Sequence, residues 1–365
     1  MDGVRGRIHF DPGCVRSKKL ADRLAPIILH ALGLAVGCAL SFGAASAQTS
    51  DQFYGSHTLT LGASSGPGGS YDAYMRLLAR HIGRHIPGSP AIVVQDVPAG
   101  GGMELANRLF NTAPNDGSYV GVLHGSVLNE HIFKDPIVHF DGARFAWVGN
   151  MMSESDSCVI SVRSNIKTVE DFLTRKVILG ATGFGAQSYS FPIIYNRVLS
   201  TKFKVIPGYP GTPERVLAME RGELDGSCGI TTTSFGSVLF QKAKEGKVIM
   251  IAQAALQKDP RYSEVPNLLE FAKTPADRRA LEFTFAPLQL GRPIAAPPGI
   301  PLDRIALLRR AFDETLKDPE FLADAEKLKM DIMPLDAATV AAKVHQLYET
   351  PKEVVERIAS ILKGN

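Results

Sequence analysis

The residues best placed to do chemistry lie in a glycine- and serine-rich loop between an alternating apolar segment and a helical pattern. The donors of this loop are Ser64, Ser65, Gly68, Gly69 and Ser70. Glycines let backbone N–H groups come close to a ligand, and the first N–H groups of a helix have no partner within it. They also lie at the positive end of the helix dipole, so the loop favours an anion, held without a cationic side chain. The alternative is an ordinary turn in which Ser70 caps the helix.

A second loop of the same kind follows the apolar segment 176–180 and precedes another helical pattern. Its glycines, Gly183 and Gly185, almost complete the G-x-G-x-x-G pattern of dinucleotide sites, but Ser188 replaces the third glycine. No acidic residue follows the next strand, where a dinucleotide site needs one for the ribose. The loop therefore favours a small carboxylate at a helix start over a nucleotide cofactor.

Catalytic and metal-binding interpretations of these segments are weaker. Residues 62–66 match G-x-S-x-G, but residues 67–69 separate Ser64 from the helix that a nucleophile elbow requires. A secreted serine esterase using Ser64 is therefore the alternative to a binding protein. His81 and His85 stand four residues apart without the H-E-x-x-H pattern, so we expect no metal ion and no cofactor.

Two further polar positions lie beside predicted strands. Gly125 and Ser126 follow the strand 119–123, and Asp225 lies in a predicted strand at 223–228. The Asp225 carboxylate would either accept an ammonium or hydroxyl group of a ligand or hold neighbouring strands together. The sequence leaves both alternatives open.

The elements that must position these loops alternate between strand and helix. Strands are predicted at 57–61, 91–97, 119–123, 145–151, 158–162, 176–180, 203–206, 223–228 and 247–252. Helices are predicted at 71–86, 103–110, 187–199 and 212–221, with a mostly helical chain after 303. This order predicts an α/β fold with mostly parallel sheets, and the length favours two lobes over one core. Ligands of such sheets sit beyond the carboxyl ends of the strands.

Composition and the amino-terminal segment indicate an exported, globular protein. Hydrophobic residues make up 45% of the chain and charged residues 21%, as in soluble proteins. Basic residues precede an apolar run, 26–42, and a small-residue cleavage signature, 45–47. We therefore expect residues 1–47 to be a secretory signal peptide and the protein to be periplasmic, with a retained membrane anchor as the alternative.

The chain after this leader has balanced charge and two cysteines. The whole sequence has 40 Lys and Arg against 37 Asp and Glu, and the basic excess lies in the leader. No basic stripe remains, so we expect no nucleic-acid partner. Cys158 and Cys228 remain after the leader. Export permits a disulfide, but the sequence does not show whether the two meet, and two buried thiols are the alternative.

A set of motifs recurs in a fixed order along the chain. Residues 67–72, followed by Arg76, read P-G-G-S-Y-D and resemble a P-G-G-x-x-D-x-x-A-R motif. Further similar segments are 98–102, 113–117, 125–126, 183–185, 207–211, 265–270 and 297–301. Together they resemble the receptors of tripartite tricarboxylate transporters, also called the Bordetella uptake gene family of extracytoplasmic solute receptors. The resemblance covers essentially the whole chain after the leader, although Asp96 stands where the family usually has Asn.

This resemblance implies a two-lobed periplasmic binding fold of type II with a hinge. Lobe one would comprise 48–150 plus 253–365, and lobe two 151–252. The resemblance also implies a monomeric receptor, not an enzyme, that binds a small mono-, di- or tricarboxylate between the lobes. The receptor would hand this ligand to a membrane permease, and closure of the lobes would depend on the ligand.

The resemblance assigns ligand contacts to both lobes. From lobe one we expect Ser64, Ser65, Gly68, Gly69, Ser70, Gly125 and Ser126. From lobe two we expect Thr182, Gly183, Gly185, Gln187, Tyr209 and Asp225. Asp72 is expected to be a carboxylate of the first helical turn rather than a ligand contact.

Overall fold

A computed structural model describes residues 50–134, 136–183 and 186–364 of the chain. The predicted signal peptide, 1–47, and the predicted ligand contact Gly185 lie outside these residues. Among the helices described, none is both long enough and apolar enough to cross a bilayer.

Strands and helices alternate over most of the chain. The strands are β1 (Leu59–Ala63), β2 (Ile92–Asp96), β3 (Tyr119–Val122), β4 (Ala146–Asn150), β5 (Asp156–Ser161), β6 (Lys176–Gly180), β7 (Lys202–Ile206), β8 (Gly226–Thr231), β9 (Val248–Ala254), β10 (Pro293–Ala296) and β11 (Leu335–Asp336). The helices are α1 (Ser50–Ser56), α2 (Ser70–Ile82), α3 (Met103–Asn111), α4 (Val127–Ile132), α5 (Val169–Thr174), α6 (Gln187–Val198), α7 (Thr212–Arg221), α8 (Thr232–Ser234), α9 (Phe240–Lys244), α10 (Pro275–Phe285), α11 (Leu302–Thr315), α12 (Pro319–Lys327), α13 (Ala337–Tyr348) and α14 (Lys352–Leu362).

The first sheet has the strand order β11-β4-β10-β3-β1-β2. Strand β1 pairs in parallel with β2 and β3, whereas β10 pairs antiparallel with β3 and β4. Leu59 and Leu61 of β1 are fully buried, and they join one hydrophobic cluster with Leu77 and Leu78 of α2. The apolar spacing that predicted this strand and helix therefore fixes how α2 covers the sheet.

The second sheet has the strand order β7-β6-β8-β5-β9. Strand β6 pairs in parallel with β7 and β8, whereas β5 pairs antiparallel with β8 and β9. The chain reaches β5 and β10 from the other sheet. Each of these strands therefore begins beside the carboxyl ends of its neighbours and runs antiparallel to them. The two-lobed α/β class is confirmed, with mixed sheets where mostly parallel ones were expected.

In both sheets, strands end on the side where the chain crosses from one sheet to the other. The crossover from β4 to β5 comprises only residues 151–155, which at about 3.5 Å per residue span less than about 20 Å. Strands β1 and β3 run in the same direction as β4, and β6 and β8 run against β5. The carboxyl ends of these strands therefore all face the crossover, where ligands of open α/β sheets bind.

A disulfide joins the middle of the second sheet. Cys158 of β5 and Cys228 of β8 are bonded, with Cα atoms 4.0 Å apart, and both are fully buried. The strands are neighbours, and their pairing is irregular at this point. Of the two alternatives that the sequence left open, the disulfide is the one present.

The region around α7 shows where the sequence pattern succeeded and where it failed. Helix α7 ends at Arg221 as predicted, where Gly222 has φ 78° in the left-handed region, but it begins at Thr212, the residue expected to be its N-cap, and Gly211 is the N-cap instead. The next strand, expected at 223–228, begins only at Gly226. Its delay has a physical cause, because the N–H groups of Gly222 and Glu223 still bond to carbonyls of α7.

The carboxyl-terminal helices reach both sheets, because α13 packs against β4 of the first sheet. Helix α14 packs against α10 and against α6 of the second sheet. One hydrophobic cluster joins Leu105, Cys158 and Ile358. The lobe boundaries expected from the sequence, 48–150 plus 253–365 and 151–252, stay a prediction.

Candidate ligand-binding site

The loop after β1 folds back on itself through its own hydrogen bonds. The Gly68 N–H donates to Asp72 Oδ2 over 2.8 Å, and the Asp72 N–H donates to Ser65 Oγ over 3.0 Å. The Gly69 N–H donates to the Gly66 carbonyl. The amides of Gly68 and Gly69 therefore have internal partners, contrary to the expectation that they face a ligand. Asp72 is the first-turn carboxylate expected from the sequence.

The start of α2 nevertheless keeps donors available. Within the described residues, the N–H groups of Ser70 and Tyr71 have no acceptor, and no side chain caps the helix at Gly69. Ser70 is exposed, so its N–H and its hydroxyl lie side by side at the surface. The positive end of the α2 dipole strengthens these donors toward an anion.

Ser64 and His124 lie beneath this loop. Ser64 is only 3% exposed, and neither its Oγ nor His124 Nε2 has a hydrogen-bond partner in the part of the chain described. The His124 ring stacks on Tyr71, with ring centres 3.8 Å apart. Burial, helped by the charge of Arg292, lowers the pKa of His124 to about 4, so the imidazole is neutral near pH 7. Ser64 Oγ is buried and makes no hydrogen bond to His124 or to another base among the described residues, so it lacks the geometry of a nucleophile, which removes the basis of the esterase alternative.

A buried guanidinium lies next to Ser70. Arg292 Nη2 donates to Ser70 Oγ over 3.2 Å and lies 3.2 Å from Glu154 Oε1. The guanidinium carbon lies 4.2 Å from the ring centre of Tyr71 and 5.0 Å from that of Tyr74. Burial opposes the charge of Arg292, but Glu154 and the two tyrosines outweigh it and raise the pKa of Arg292.

Sequence reasoning missed Arg292, although one signal was present. Arg292 is the single charged residue between Glu282 and Asp303, in an otherwise apolar stretch. An arginine in such a stretch is rarely fully buried unless it is paired. The expectation of a loop without a cationic side chain is therefore corrected, since this cation lies beside Ser70 and is paired with Glu154.

An acidic pair lies on the other side of the first loop. Arg76 bridges Asp72, with Nε 2.6 Å from Oδ1, and Asp96, with Nη2 3.3 Å from Oδ2. Burial and the neighbouring Asp72 raise the pKa of Asp96. The pair has no third ligand beside it, and no group of three or more metal-ligating side chains occurs among the described residues.

The loop after β6 brings several of the predicted contacts together. The Thr182 N–H donates to Ser188 Oγ over 3.1 Å, and the Tyr209 N–H donates to the Ala181 carbonyl over 3.2 Å. Thr182 and Tyr209 therefore lie at the same corner of the second sheet. Among the described residues, a Cβ atom added to Gly183 would meet nothing within 4 Å. The described part of this loop therefore leaves room for a ligand in front of the start of α6.

One cavity brings together predicted contacts from the two sheets. Ser126, at the start of α4, and Gln187, at the start of α6, both line a cavity of about 250 Å³. Its remaining walls include Phe133, Phe191 and other apolar side chains. A larger cavity, of about 650 Å³, is lined by α10, α13 and α14 and by none of the predicted contacts.

Asp225 lies apart from the other predicted contacts. It precedes β8, at the end of that strand which faces away from the crossover. Its Oδ2 accepts a 2.8 Å hydrogen bond from the Ile178 N–H, and its own N–H donates to the Ile178 carbonyl. Asp225 therefore holds β6 and β8 together, the second of the two alternatives, and we remove it from the candidate site.

Comparison with known proteins gave matches by structure alone. No family model and no curated protein matched the sequence. A TctC solute-binding protein from Polaromonas has 17% identity and a TM-score of 0.66, covering 83% of this chain and 99% of that one. Rpa4515 from R. palustris, solved with adipate, has 15% identity and a TM-score of 0.60, covering 84% and 98%. MatC from Rhodopseudomonas palustris, solved with malate, has 21% identity and a TM-score of 0.55, covering 84% and 99%.

These matches establish the fold of the chain. It has the two-lobed fold of periplasmic solute-binding proteins, and the resemblance to tripartite tricarboxylate receptors is confirmed at the level of the fold.

Proposed function

We propose that this chain is a periplasmic receptor that binds a small organic carboxylate between its two lobes. The observation that carries the proposal is the start of α2, where free amides and an exposed hydroxyl lie at the strand edge that faces the second sheet. The carboxylates bound in two structures of the same fold, malate and adipate, support it. The lobes are those expected from the sequence, 48–150 plus 253–365 and 151–252.

The donors come from both lobes. Lobe one supplies the amides of Ser70 and Tyr71, the hydroxyls of Ser70 and Ser126, and the loop that holds them. Lobe two supplies the edge formed by Thr182, Gly183, Gln187 and Tyr209. Ser64, Ser65, Gly68, Gly69 and Gly125 shape the first site from within, and Gly185, outside the described residues, stays a predicted contact.

The energetics allow useful affinity without any chemical step. A hydrogen bond to a charged group contributes about 1.5–3 kcal/mol, and a helix start adds about 0.3–1 kcal/mol. Two to four such donors offset the cost of removing a carboxylate from water. The remainder is compatible with a Kd of about 1 μM, which corresponds to about 8 kcal/mol.

We test carboxylate binding by a ligand panel. The whole protein is screened by thermal shift against mono-, di- and tricarboxylates that include malate and adipate, and hits are measured by isothermal titration calorimetry. We expect at least one acid to raise the Tm and to bind with a Kd near 1 μM, and its neutral diamide to do neither. Absence of any saturable binding across the panel would contradict the proposal.

Export and delivery form the second half of the proposal. Residues 1–47 direct the chain to the periplasm, and the ligand-closed receptor presents its acid to a membrane permease. In the host, removal of the gene should abolish uptake of the labelled acid, and a copy carrying Ser70→Ala should restore it only in part. Unchanged uptake without the gene would contradict delivery, independently of the binding result.

A further inference from the structure

The two crossover segments between the sheets meet beside Ser70. Residues 151–155 lead from β4 to β5, and the chain returns through residues that end at Arg292, just before β10. The Glu154 N–H donates to the Leu288 carbonyl, and the Met151 N–H donates to the Arg292 carbonyl. Glu154 and Arg292, the ion pair beside Ser70, therefore belong to the two segments that a hinge motion must bend.

The hydrogen-bond chemistry of this pair fixes the direction of the Ser70 hydroxyl. A guanidinium has donors and no acceptor, so Ser70 Oγ must accept in its 3.2 Å bond with Arg292 Nη2. A hydroxyl has one proton, which is then free to point away from Arg292. Since Ser70 is exposed, that proton is available to an arriving acceptor.

Arg292 itself is not open to a ligand. It is 4% exposed, it lies against the faces of Tyr71 and Tyr74, and it is also bonded to the Gly291 carbonyl. The Glu154 carboxylate occupies the position that a ligand carboxylate would need. Arg292 therefore acts through Ser70, as a positioning residue.

We propose that the Arg292–Glu154 pair holds the Ser70 hydroxyl as a donor toward the ligand carboxylate. The pair thereby links ligand binding at Ser70 to the crossover segments between the lobes. This inference rests on the proposed function for its ligand, whereas the polarisation of Ser70 is independent of it. A ligand that offers an acceptor to Ser70 is favoured over one that offers only a donor, because the Ser70 proton points away from Arg292 while one of the two lone pairs of Oγ is already used. Bending of the crossover segments would move Arg292 and so change the hydrogen bond that Ser70 donates to the acid.

The first arm of the test needs no ligand. Ser70→Cys is made in a chain whose Cys14 and Cys38 are serine, so that Cys158 and Cys228 remain as the disulfide. The apparent pKa of the new thiol is read from the pH dependence of its alkylation by iodoacetamide. We expect it at least about one unit below the ordinary value of about 8.5. Replacing the pair by Arg292→Gln with Glu154→Gln, which leaves no unpaired buried charge, should return the pKa toward that value.

Two controls separate positioning from general effects of folding. Ser56→Cys lies before β1, at the opposite end of the strand from Ser70, and its thiol should not respond to the paired Gln changes. Arg292→Lys keeps the charge and should retain part of the shift at Ser70→Cys. A thiol at Ser70→Cys that titrates equally with and without the pair would overturn the inference.

The second arm uses the acid that binds best among malate and adipate, measured by calorimetry. Ser70→Ala and the paired Gln variant should each weaken binding about tenfold or more. Combined, they should weaken it no further than Ser70→Ala alone, because both remove the same contact. Fully additive losses would show a merely structural role for the pair and would overturn the inference. If no acid of the panel binds but the thiol responds to the pair, the carboxylate function fails while the polarisation of Ser70 stands.

Discussion

At the scale of single residues, Asp156 is a buried acid whose surroundings oppose its charge. It begins β5, is fully buried, and neither carboxylate oxygen has a hydrogen-bond donor among the described residues. Burial, increased by Glu154 and opposed by Arg215, raises the pKa of Asp156 to about 8. The side chain is therefore neutral from the ordinary aspartate pKa up to about pH 8, where a free aspartate is charged.

Asp156 predicts a pH dependence of stability with a definite sign. Between the ordinary aspartate pKa and about 8, the folded chain holds a proton that the unfolded chain has lost. The free energy of unfolding should therefore fall by up to about 1.4 kcal/mol per pH unit as the pH rises through this window. Asp156→Asn should remove this slope, as measured by urea unfolding at pH 5, 6, 7 and 8. Exposed Asp51→Asn is the matched control, and an unchanged slope in Asp156→Asn would contradict the assignment.

Single residues also mark the limit of sequence reasoning. The loop serines and Gln187 were found because glycines and helix starts leave a pattern along the chain. Arg292 and Asp156 were not found, because their burial depends on neighbours distant in sequence, Glu154, Ser70 and Arg215. A local pattern contains no such pairing.

At the scale of elements, two predicted glycine contacts differ in what surrounds them. A Cβ atom on Gly125 would lie 2.4 Å from the Leu290 carbonyl oxygen and 2.5 Å from that of Pro287. A Cβ atom on Gly183 would meet nothing within 4 Å in the part of the chain that the structure describes. Gly125 is therefore required where α4 begins against the returning crossover, whereas Gly183 leaves open space before α6.

This difference predicts opposite outcomes for two alanine variants. Gly125→Ala should lower the free energy of unfolding by about 1–3 kcal/mol or more, because backbone carbonyls must move. Gly183→Ala should change the free energy of unfolding by no more than about 0.5 kcal/mol. It should nevertheless weaken binding of the acid, because it places a methyl group where the ligand approaches. Thermal unfolding and calorimetry on both variants check this. A Gly125→Ala variant as stable as the native chain would contradict the close packing at Gly125. A Gly183→Ala variant with full affinity would contradict the placement of the ligand beside Gly183.

Element bounds could be predicted where the pattern was local. The strand at 176–180 and the helix at 212–221 match because apolar spacing, proline at the helix start and Gly222 at its end are all local signals. The strand expected at 223–228 begins later, because the residues after Gly222 still complete the end of the helix. Asp225 therefore precedes the strand and bonds to Ile178, and it does not contact the ligand as the sequence led us to expect.

At the scale of the whole molecule, the disulfide ties two strands that are 70 residues apart in sequence. It closes a loop that contains α5, α6 and α7. Replacing both Cys158 and Cys228 by alanine should lower the free energy of unfolding by about 4 kcal/mol, as expected for a loop of this length. Denaturant unfolding of the variant, and of the native chain with and without a reducing agent, measures this. Equal stability of all three would show that the bond adds nothing.

The overall architecture was predictable in class and not in detail. Alternating strands and helices predicted two α/β lobes, and the length favoured two lobes over a single core. The antiparallel entry of β5 and β10 was not predictable, because it follows from how the chain crosses between the sheets. The contact of α14 with α6 has no sequence signal either, since it joins a terminal helix to the far sheet.

The claim that one acid is held by donors of both lobes is tested most directly by a crystal structure of the protein with its best-binding carboxylate. We expect a carboxylate oxygen within about 2.7–3.2 Å of the Ser70 amide or hydroxyl. We also expect a second ligand oxygen, or a water bound to it, at the start of α6 near Gln187. A ligand that touches one lobe only, or that lies in the cavity between α10, α13 and α14, would contradict the account.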